Sequence, residues 1–152
     1  MITAGDLKKI NIFADWQDTD LEVVIPYLVE EEINKGQMLF NQGDIADKIY
    51  FIKSGCIELT IKVTESEERR LAQLKSGAML GEMAVIDNKP RSATASAFVD
   101  TVLISITKEK FHQFIGKHGK EPTNKLLTNL IKELSFRLRA VDEEIRHMSL
   151  FT

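Results

Sequence analysis

The feature that most restricts the fold of this chain is a series of short β-type runs, separated by glycine turns, between residues 49 and 106. The apolar residues of Ile49–Lys53 lie together, which is the pattern of a strand buried on both faces. From Ile57 to Val63 every second residue is apolar, as in a half-buried strand. Gly55 marks the turn between these two strands, and Gly77 marks a later turn. Many short strands with glycine turns predict a β-sandwich or a jelly roll.

Further strands are predicted towards the end of this β region. Leu71–Leu74 forms one of them, and Ala93–Val99 and Thr101–Ile106 form a pair joined at Asp100. The β region as a whole is expected to cover residues 31–106.

Helical patterns flank the β region on both sides. Residues 1–30 form a helical lead-in, in which Pro26 indicates a kink or an early stop. Lys108 to about Ile115 predicts a short helix, which Gly116–Gly119 is expected to interrupt. Pro122 suits the first turn of a long helix that continues to about Met148. We therefore predict one domain over residues 1–152, mainly β with flanking helices and with C-terminal helices over 107–152.

Charge, hydropathy and cysteine content argue against several classes of function. The chain has 20 basic and 23 acidic residues and a net charge of -3, without the basic stripe typical of nucleic-acid-binding proteins. Its apolar runs are far shorter than the ~20 residues that cross a bilayer. Cys56 is the only cysteine, which is too few for an internal disulfide or a cysteine-ligated metal cluster. We expect a cytoplasmic chain that needs no cofactor and binds neither nucleic acid nor membrane by itself.

The segment Gly81–Thr94 has the composition of an anion-binding site. The amides of Met83 and Ala84 open a short helix, where unpaired donors meet the positive end of the helix dipole. Arg91 can bind a phosphate through two parallel hydrogen bonds, and Ser92 adds a hydroxyl donor. Because Arg91 lies in a predicted loop, its replacement is expected to leave the fold intact.

Glu82 gives this segment a second specificity. A carboxylate beside a phosphate is repulsive unless it has a partner of its own, and a ribose hydroxyl would be such a partner. Gly81 allows the ligand to approach the backbone closely. The segment therefore predicts a ligand in which a sugar hydroxyl and an anion lie close together.

The segment resembles the phosphate-binding cassette of cyclic-nucleotide-binding domains, through G-E-M-A, six residues, and R-S-A-T, with Pro90 before Arg91. This family includes catabolite-activator-type regulators, regulatory subunits of the cAMP-dependent kinase and cyclic-nucleotide-gated channels. Upstream, Phe40–Asp44 and Ile49–Ile52 resemble the family's first strands, whereas Leu80 replaces an aromatic residue of many members. The resemblance covers nearly the whole chain and implies a β jelly roll with N-terminal helices and a long C-terminal helix.

The resemblance also implies a role for each site residue and a regulatory rather than a catalytic function, in signal transduction. Glu82, beside Gly81, would hold the ribose 2′-hydroxyl, and Arg91 would hold the cyclic phosphate with assistance from Ser92, Met83 and Ala84. The base pocket and its lid would be formed by Leu59, Leu71, Ala72, Val141 and Asp142.

The last helix carries an apolar heptad stripe. Its members are spaced 4, 3, 4, 3, 4 and 3 residues apart, which is typical of a coiled-coil seam: Leu127, Ile131, Leu134, Leu138, Val141, Ile145 and Met148. A helix that covers a barrel also needs an apolar stripe. This one, however, would be about 40 Å long at ~1.5 Å per residue and would extend past a small barrel. We therefore predict a parallel homodimer along residues 127–148, as the resemblance to the catabolite-activator type also implies.

Several alternatives remain open at this point. A metal-dependent enzyme of the same shape would need histidines on strands, whereas His112, His118 and His147 all lie in the helical zone. A relative that has lost nucleotide binding would serve as a dimerising interaction module. No helix-turn-helix pattern follows the long helix, so the chain would be a stand-alone module or a fragment of a longer regulator or channel.

The ligand is expected to be cAMP, with cGMP as the alternative. Val141 and Asp142 occupy the positions from which the catabolite-activator type contacts adenine, and neither repeats the hydroxyl used there. An ionised Asp142 accepts hydrogen bonds only, and guanine offers two adjacent donors. Asp142 would therefore favour cGMP, unless it belongs with Glu143 and Glu144 to a solvated acidic face.

Overall fold

The computed structural model describes residues 1–117 and 120–150, and for residues 149 and 150 the backbone alone. Within this part of the chain the strands are β1 (Val29–Ile33), β2 (Met38–Phe40), β3 (Lys48–Ser54), β4 (Cys56–Thr64), β5 (Glu67–Lys75), β6 (Met79–Leu80), β7 (Thr94–Ala97) and β8 (Thr101–Thr107). The α-helices are α1 (Ala4–Lys8), α2 (Asp18–Val24), α3 (Glu82–Asp87), α4 (Lys108–Lys117) and α5 (Lys120–Leu150). Short 3₁₀ turns cover Asn11–Phe13 and Ile25–Tyr27.

The strands form two antiparallel sheets that together make a β jelly roll, which confirms the expected fold class. One sheet has the order β1-β8-β3-β6 and the other the order β2-β7-β4-β5. Consecutive strands that the sequence analysis joined by a turn lie in different sheets. In particular, β7 pairs with β2 and β4, and β8 pairs with β1 and β3, so the pair expected on either side of Asp100 is wrong.

The reason is that the chain crosses between the sheets at Gly55 and again near Asp100. Gly55 has a φ of +103°, and a Cβ there would lie 2.4 Å from Thr101 Oγ1. The two crossings therefore pack directly against each other, and glycine is the residue that this contact requires.

Two apolar cores hold the elements together. One lies between the sheets and consists of Ile33, Tyr50, Ile52, Ile57, Leu80, Ala95, Ala97 and Leu103. The larger one lies under the helices, where Phe13, Phe51 and Phe114 are almost fully buried. Leu126 and Leu130 bring the first half of α5 into this second core. The helices are thus fixed to the sheet that contains β3.

The helix boundaries largely agree with the sequence predictions. Helix α2 ends at Val24, before the turn that contains Pro26. Helix α4 continues through Gly116 to Lys117, two residues beyond the predicted end, and the rest of the predicted break lies outside the described residues. Pro122 is the third residue of α5, where its missing N–H has no intrahelical acceptor in any case.

Helix α5 has a docked half and a projecting half. Asn129 Nδ2 donates to Ile12 O and to Asp15 Oδ1, both at 2.8 Å, and ties the first half to the N-terminal turn. From Leu138 to Met148 every residue is exposed. Over residues 1–117 and 120–150, no helix has both the length and the apolar character that crossing a membrane requires.

Candidate functional site

A pocket opens where α3 interrupts the strands of the jelly roll. The space within the pocket and its open mouth is about 460 Å³. Its lining combines apolar side chains with a buried cation and a buried carboxylate. The pocket is lined by Phe40, Leu59, Leu74, Leu80, Gly81, Glu82, Met83, Ala84, Arg91, Ser92, Ala93 and Arg137.

Arg91 is the buried cation of the pocket, with 3% of its surface exposed. Its Nη1 donates to Gly81 O and its Nη2 to Lys48 O, each at 2.7 Å. The guanidinium carbon lies 4.2 Å from the centroid of the Phe40 ring, in cation–π contact. These contacts fix the side chain in one orientation against the edge of β3.

The Arg91 side chain still has donor capacity, because its buried Nε has no hydrogen-bond acceptor. Burial lowers the pKa of Arg91, since a charged group loses hydration inside the protein, and nearby carboxylates oppose this effect only in part. The nearest ion-pair contact is Asp47 Oδ1, 3.7 Å from Nη2, and Asp47 itself is exposed. A buried, weakly compensated cation with an unused donor is suited to bind an anion.

Gly81 shapes the same corner of the pocket. Its φ of +80° lies in the left-handed region, and a Cβ there would lie only 2.4 Å from Arg91 Nη1. The backbone of β6 therefore enters α3 in a conformation that favours glycine, and the absent side chain makes room for the guanidinium.

Glu82 is the buried carboxylate, with 1% of its surface exposed at the start of α3. Its Oε1 accepts a 2.5 Å hydrogen bond from Arg137 Nη1, and Arg137 Nη2 donates to Met79 O at 2.5 Å. Burial raises the pKa of Glu82, and the charge of Arg137 partly offsets that rise. The carboxylate thus reaches the pocket from the barrel, and Arg137 reaches it from α5.

The structure brings seven of the predicted site residues together at this pocket. Glu82 and Ala84 are buried, Leu59 is half-buried, and Met83 and Ser92 are exposed at the rim. Gly81 and Arg91 complete the set. Helix α3 begins at Glu82, so the amides of Met83 and Ala84 lie in its first turn as expected.

The other predicted residues, Leu71, Ala72, Val141 and Asp142, do not line the pocket. Leu71 lies at an irregularity of β5: Leu59 pairs with Ala72 and the next residue, Thr60, pairs with Arg70, so Leu71 has no partner across the sheet and is 55% exposed. Val141 and Asp142 lie on the projecting half of α5 and are exposed. Their contact with a base stays a prediction.

Sequence reasoning missed Arg137, the aromatic ring of Phe40 and the lining residues Leu74, Leu80 and Ala93. Leu74 could have been found, because it lies two residues from Ala72 and therefore on the same face of β5. Arg137 is 55 residues from Glu82 in the sequence, and its heptad position next to Leu138 was the only available signal. Nothing local indicates that an arginine of α5 contacts the cassette.

Comparison with known proteins gives consistent matches. The chain is 29% identical over 143 residues to the cyclic AMP receptor protein of Thermus thermophilus, covering 94% of this chain and 64% of that protein. The crystal structure of the Thermus thermophilus catabolite activator protein superposes with a TM-score of 0.79 at 29% identity, covering 91% and 63% of the two chains. A cGMP-dependent protein kinase of Toxoplasma gondii is 31% identical over 110 residues, which are 72% of this chain and 11% of the kinase.

The chain thus spans less than two thirds of the length of these relatives. The family model described as the cyclic nucleotide-binding domain matches residues 30–118. That match covers the jelly roll, the cassette and α4, and it contains Gly81, Glu82 and Arg91. The chain therefore belongs to the cyclic nucleotide-binding domain family.

Proposed function

We propose that this chain is a sensor that binds a cyclic nucleotide, with cAMP as the favoured ligand and cGMP as the alternative, and that carries out no chemical step. The observation that carries the proposal is the combination of buried Arg91, buried Glu82 and apolar side chains in one pocket. A cyclic nucleotide has the matching groups, because its phosphate, ribose hydroxyl and base lie close together in one rigid molecule.

Arg91 would hold the cyclic phosphate. Its unused Nε donor and the second protons of its Nη atoms remain available beside the two carbonyl contacts. Ser92 and the amides of Met83 and Ala84 would complete the phosphate contacts at the rim. An anion in this place would also oppose the effect of burial on the guanidinium.

Glu82 would accept a hydrogen bond from the ribose 2′-hydroxyl, beside the backbone of Gly81. A carboxylate accepts several hydrogen bonds, so the Arg137 contact and a hydroxyl contact are compatible. Each replaces hydration that burial has removed from Glu82. The Arg137 contact also links this subsite to α5.

The base would extend from Leu59 along β4 and β5 towards α5. Leu71, Ala72, Val141 and Asp142 would contact it only if α5 and the outer part of the sheet close on the ligand. The relatives do not decide between the two bases, because proteins named for cAMP and for cGMP both match. Asp142 would favour guanine, because an ionised carboxylate accepts hydrogen bonds and guanine offers two adjacent donors. Measuring both affinities for the parent chain and for Asp142→Asn tests the role of Asp142, and an unchanged cGMP/cAMP ratio would remove it from base recognition.

The apolar stripe of α5, over residues 127–148, would form a parallel homodimer. Its exposed members are the apolar surface that a second copy would cover, with Ile131 67% exposed, Leu138 64% and Met148 65%. Nucleotide binding would be coupled to this helix through Arg137, which lines the pocket from α5.

A second candidate function is a dimerising module of the same fold without nucleotide binding. One observation favours it: the two terminal nitrogens of Arg91 already bind backbone carbonyls, so this arginine also has a role within the fold. The larger regulators or channels that contain such domains provide a third context, since the chain spans 64% of its bacterial relative.

Titration calorimetry with cAMP and cGMP on the purified chain separates these candidates. We expect saturable binding of one or both at one site per chain, and much weaker binding of 5′-AMP, which lacks the cyclic phosphate. If neither cyclic nucleotide binds at millimolar concentration, the sensor function is wrong and the dimerising module is left.

A further inference from the structure

Two aromatic rings pack against the buried guanidinium of Arg91. Its guanidinium carbon lies 4.2 Å from the centroid of the Phe40 ring and 5.9 Å from that of the Tyr50 ring. The two rings are stacked on each other, with their centroids 6.1 Å apart and their planes inclined by 28°. The face of an aromatic ring attracts a cation that lies within about 6 Å of its centroid. Arg91 therefore has an aromatic wall on one side, and Phe40 is the member of that wall that also lines the pocket.

An irregularity in strand β2 turns Phe40 towards the pocket. Met38 pairs with Ser96 of β7. Phe40 pairs with Ala95, so the register shifts by one residue between Met38 and Phe40. In a regular strand Phe40 would share the face of Met38, which is 53% exposed, whereas its pairing with the fully buried Ala95 places it on the inner face. Bulges re-aim side chains in this way, and they are frequent beside functional sites.

The aromatic wall stabilises the Arg91 cation without neutralising it. Among the described residues, Asp47 is the one carboxylate within ion-pair distance of Arg91, 3.7 Å from Nη2, and its side chain is 74% exposed. The hydrogen bonds of the guanidinium go to Gly81 O and Lys48 O, which are neutral acceptors. A carboxylate in close contact would compete with an anionic ligand, whereas the face of a ring leaves the charge available to it.

We propose that Phe40 is a positioning residue for the nucleotide phosphate, which holds the Arg91 guanidinium in the pocket and away from Asp47. This inference rests on the proposed function and adds a residue to it. Without the ring, the guanidinium is free to turn towards the Asp47 carboxylate and to form a closer ion pair. That pair has to break before phosphate binds, and such a difference between the free and the bound state is what lowers the affinity.

The test compares Phe40→Leu with Phe98→Leu by titration calorimetry with cAMP and cGMP on the full chain. Phe98 is a matched control: it directly follows β7, its ring lies 5.9 Å from the guanidinium carbon of Arg70, and it does not line the pocket. We expect Phe40→Leu to weaken nucleotide binding about two- to thirtyfold, the range of a cation–π contact, and Phe98→Leu to bind as the parent does. Phe40→Tyr keeps the aromatic face and should restore most of the affinity that Phe40→Leu loses.

A double-mutant cycle with Arg91→Ala shows whether Phe40 acts through the arginine. In the Arg91→Ala background, Phe40→Leu should weaken binding no further, because the ring has no guanidinium to hold. An undiminished loss in that background would mean that the ring contacts the ligand itself, and would overturn the positioning role. Asp47→Asn should return affinity to the Phe40→Leu chain, since it removes the competing carboxylate.

The outcomes separate this role from the sensor function. Equal affinities of the parent, Phe40→Leu and Phe98→Leu would overturn the role of Phe40 and leave the sensor function in place. Equal losses in Phe40→Leu and Phe40→Tyr would also overturn it, because the aromatic face would then be irrelevant. A parent that binds neither cyclic nucleotide ends both. Should Phe40→Leu fail to fold in denaturant titrations, Phe40→Met, whose flexible side chain fills irregular space, takes its place in the same comparison.

Discussion

Arg91 is bound to two backbone carbonyls, so at the scale of a single residue it belongs to the fold as well as to the proposed phosphate site. Arg91→Ala would leave Gly81 O and Lys48 O without these donors. We still expect the fold to survive this replacement, but with a loss of about 2 kcal/mol or more in the free energy of unfolding.

Nucleotide binding should weaken about ten- to a hundredfold in the same variant, because a hydrogen bond to a charged group contributes ~1.5–3 kcal/mol. Arg91→Lys should restore it only in part, since an ammonium cannot make the planar two-point contact. Denaturant unfolding and calorimetry measure the two effects separately. Unchanged affinity of the alanine variant for cAMP and cGMP would refute the phosphate assignment.

Gly81 and Gly43 form a matched pair for testing the packing at Arg91. Both have positive φ, +80° and +91°, but a Cβ at Gly43 meets nothing within 4 Å. Alanine at either position carries the cost of a left-handed backbone, about 1 kcal/mol. Only Gly81→Ala should also displace the guanidinium, so it should weaken nucleotide binding more than Gly43→Ala does. Equal affinities for the two variants, measured by calorimetry, would contradict this account.

The burial of Glu82 predicts a pH dependence of stability. Its pKa is raised above the usual value of 4.5, so just above pH 4.5 the folded protein retains a proton that the unfolded chain has released. The free energy of unfolding should therefore decrease as pH rises through this window. Glu82→Gln has no such proton, and its stability should vary less between the same pH values. Parallel pH profiles of the parent and the variant in urea unfolding would show that Glu82 makes no such contribution.

At the scale of the elements, the faces of helix α5 can be tested separately for their part in the proposed dimer. Leu138 belongs to the apolar heptad stripe of α5, whereas Phe136 lies outside it. The two residues are exposed to similar extents, 64% and 73%. Leu138→Glu would bury a charge in the seam and should yield monomers, whereas Phe136→Glu should remain dimeric. Light scattering distinguishes the two results. A seam on any other face of α5 would reverse or abolish the difference.

The sequence predicted the elements whose pattern is set by local burial and missed those that are set by distant partners. Strands β3 and β4 were found within a residue of their ends, because buried and alternating patterns mark them. Strand β1 contains three consecutive glutamates and was not recognised. It is an edge strand, and its pairing with β8 supplies the order that its own composition does not indicate.

The site shows the same division. The predicted residues of Gly81–Ser92 that line the pocket are close in sequence, so their types and spacing were sufficient to predict that they lie together. Arg137 and the ring of Phe40 reach the pocket through the packing of α5 and β2, and no local pattern reports such contacts. The assignment of β7 and β8 to different sheets likewise depends on crossings that pack against each other at Gly55.

For the whole molecule, the pocket and the projecting half of α5 are joined by Arg137 alone among the residues that line the pocket. A nucleotide that contacts Glu82 and Arg137 would therefore act on the helix at the point where its docked half ends. A ligand shifts the equilibrium between two helix states only by its different affinities for them. The change in α5 on nucleotide binding should therefore be largest in the half of the helix that packs least against the barrel.

We accordingly expect bound cAMP or cGMP to slow amide hydrogen exchange more in residues 138–148 than in residues 126–134. The side chains of residues 138–148 are all exposed, whereas the segment 126–134 is docked against the second core. Exchange in the docked half should change little, because Leu126 and Leu130 are buried in the second core and do not line the pocket. Repeating the measurement with Leu138→Glu separates two causes of the protection. Protection that persists in this variant comes from the ligand acting on its own chain, whereas protection that disappears requires the second copy. Nucleotide binding without any change in exchange along α5 would contradict the coupling between pocket and helix.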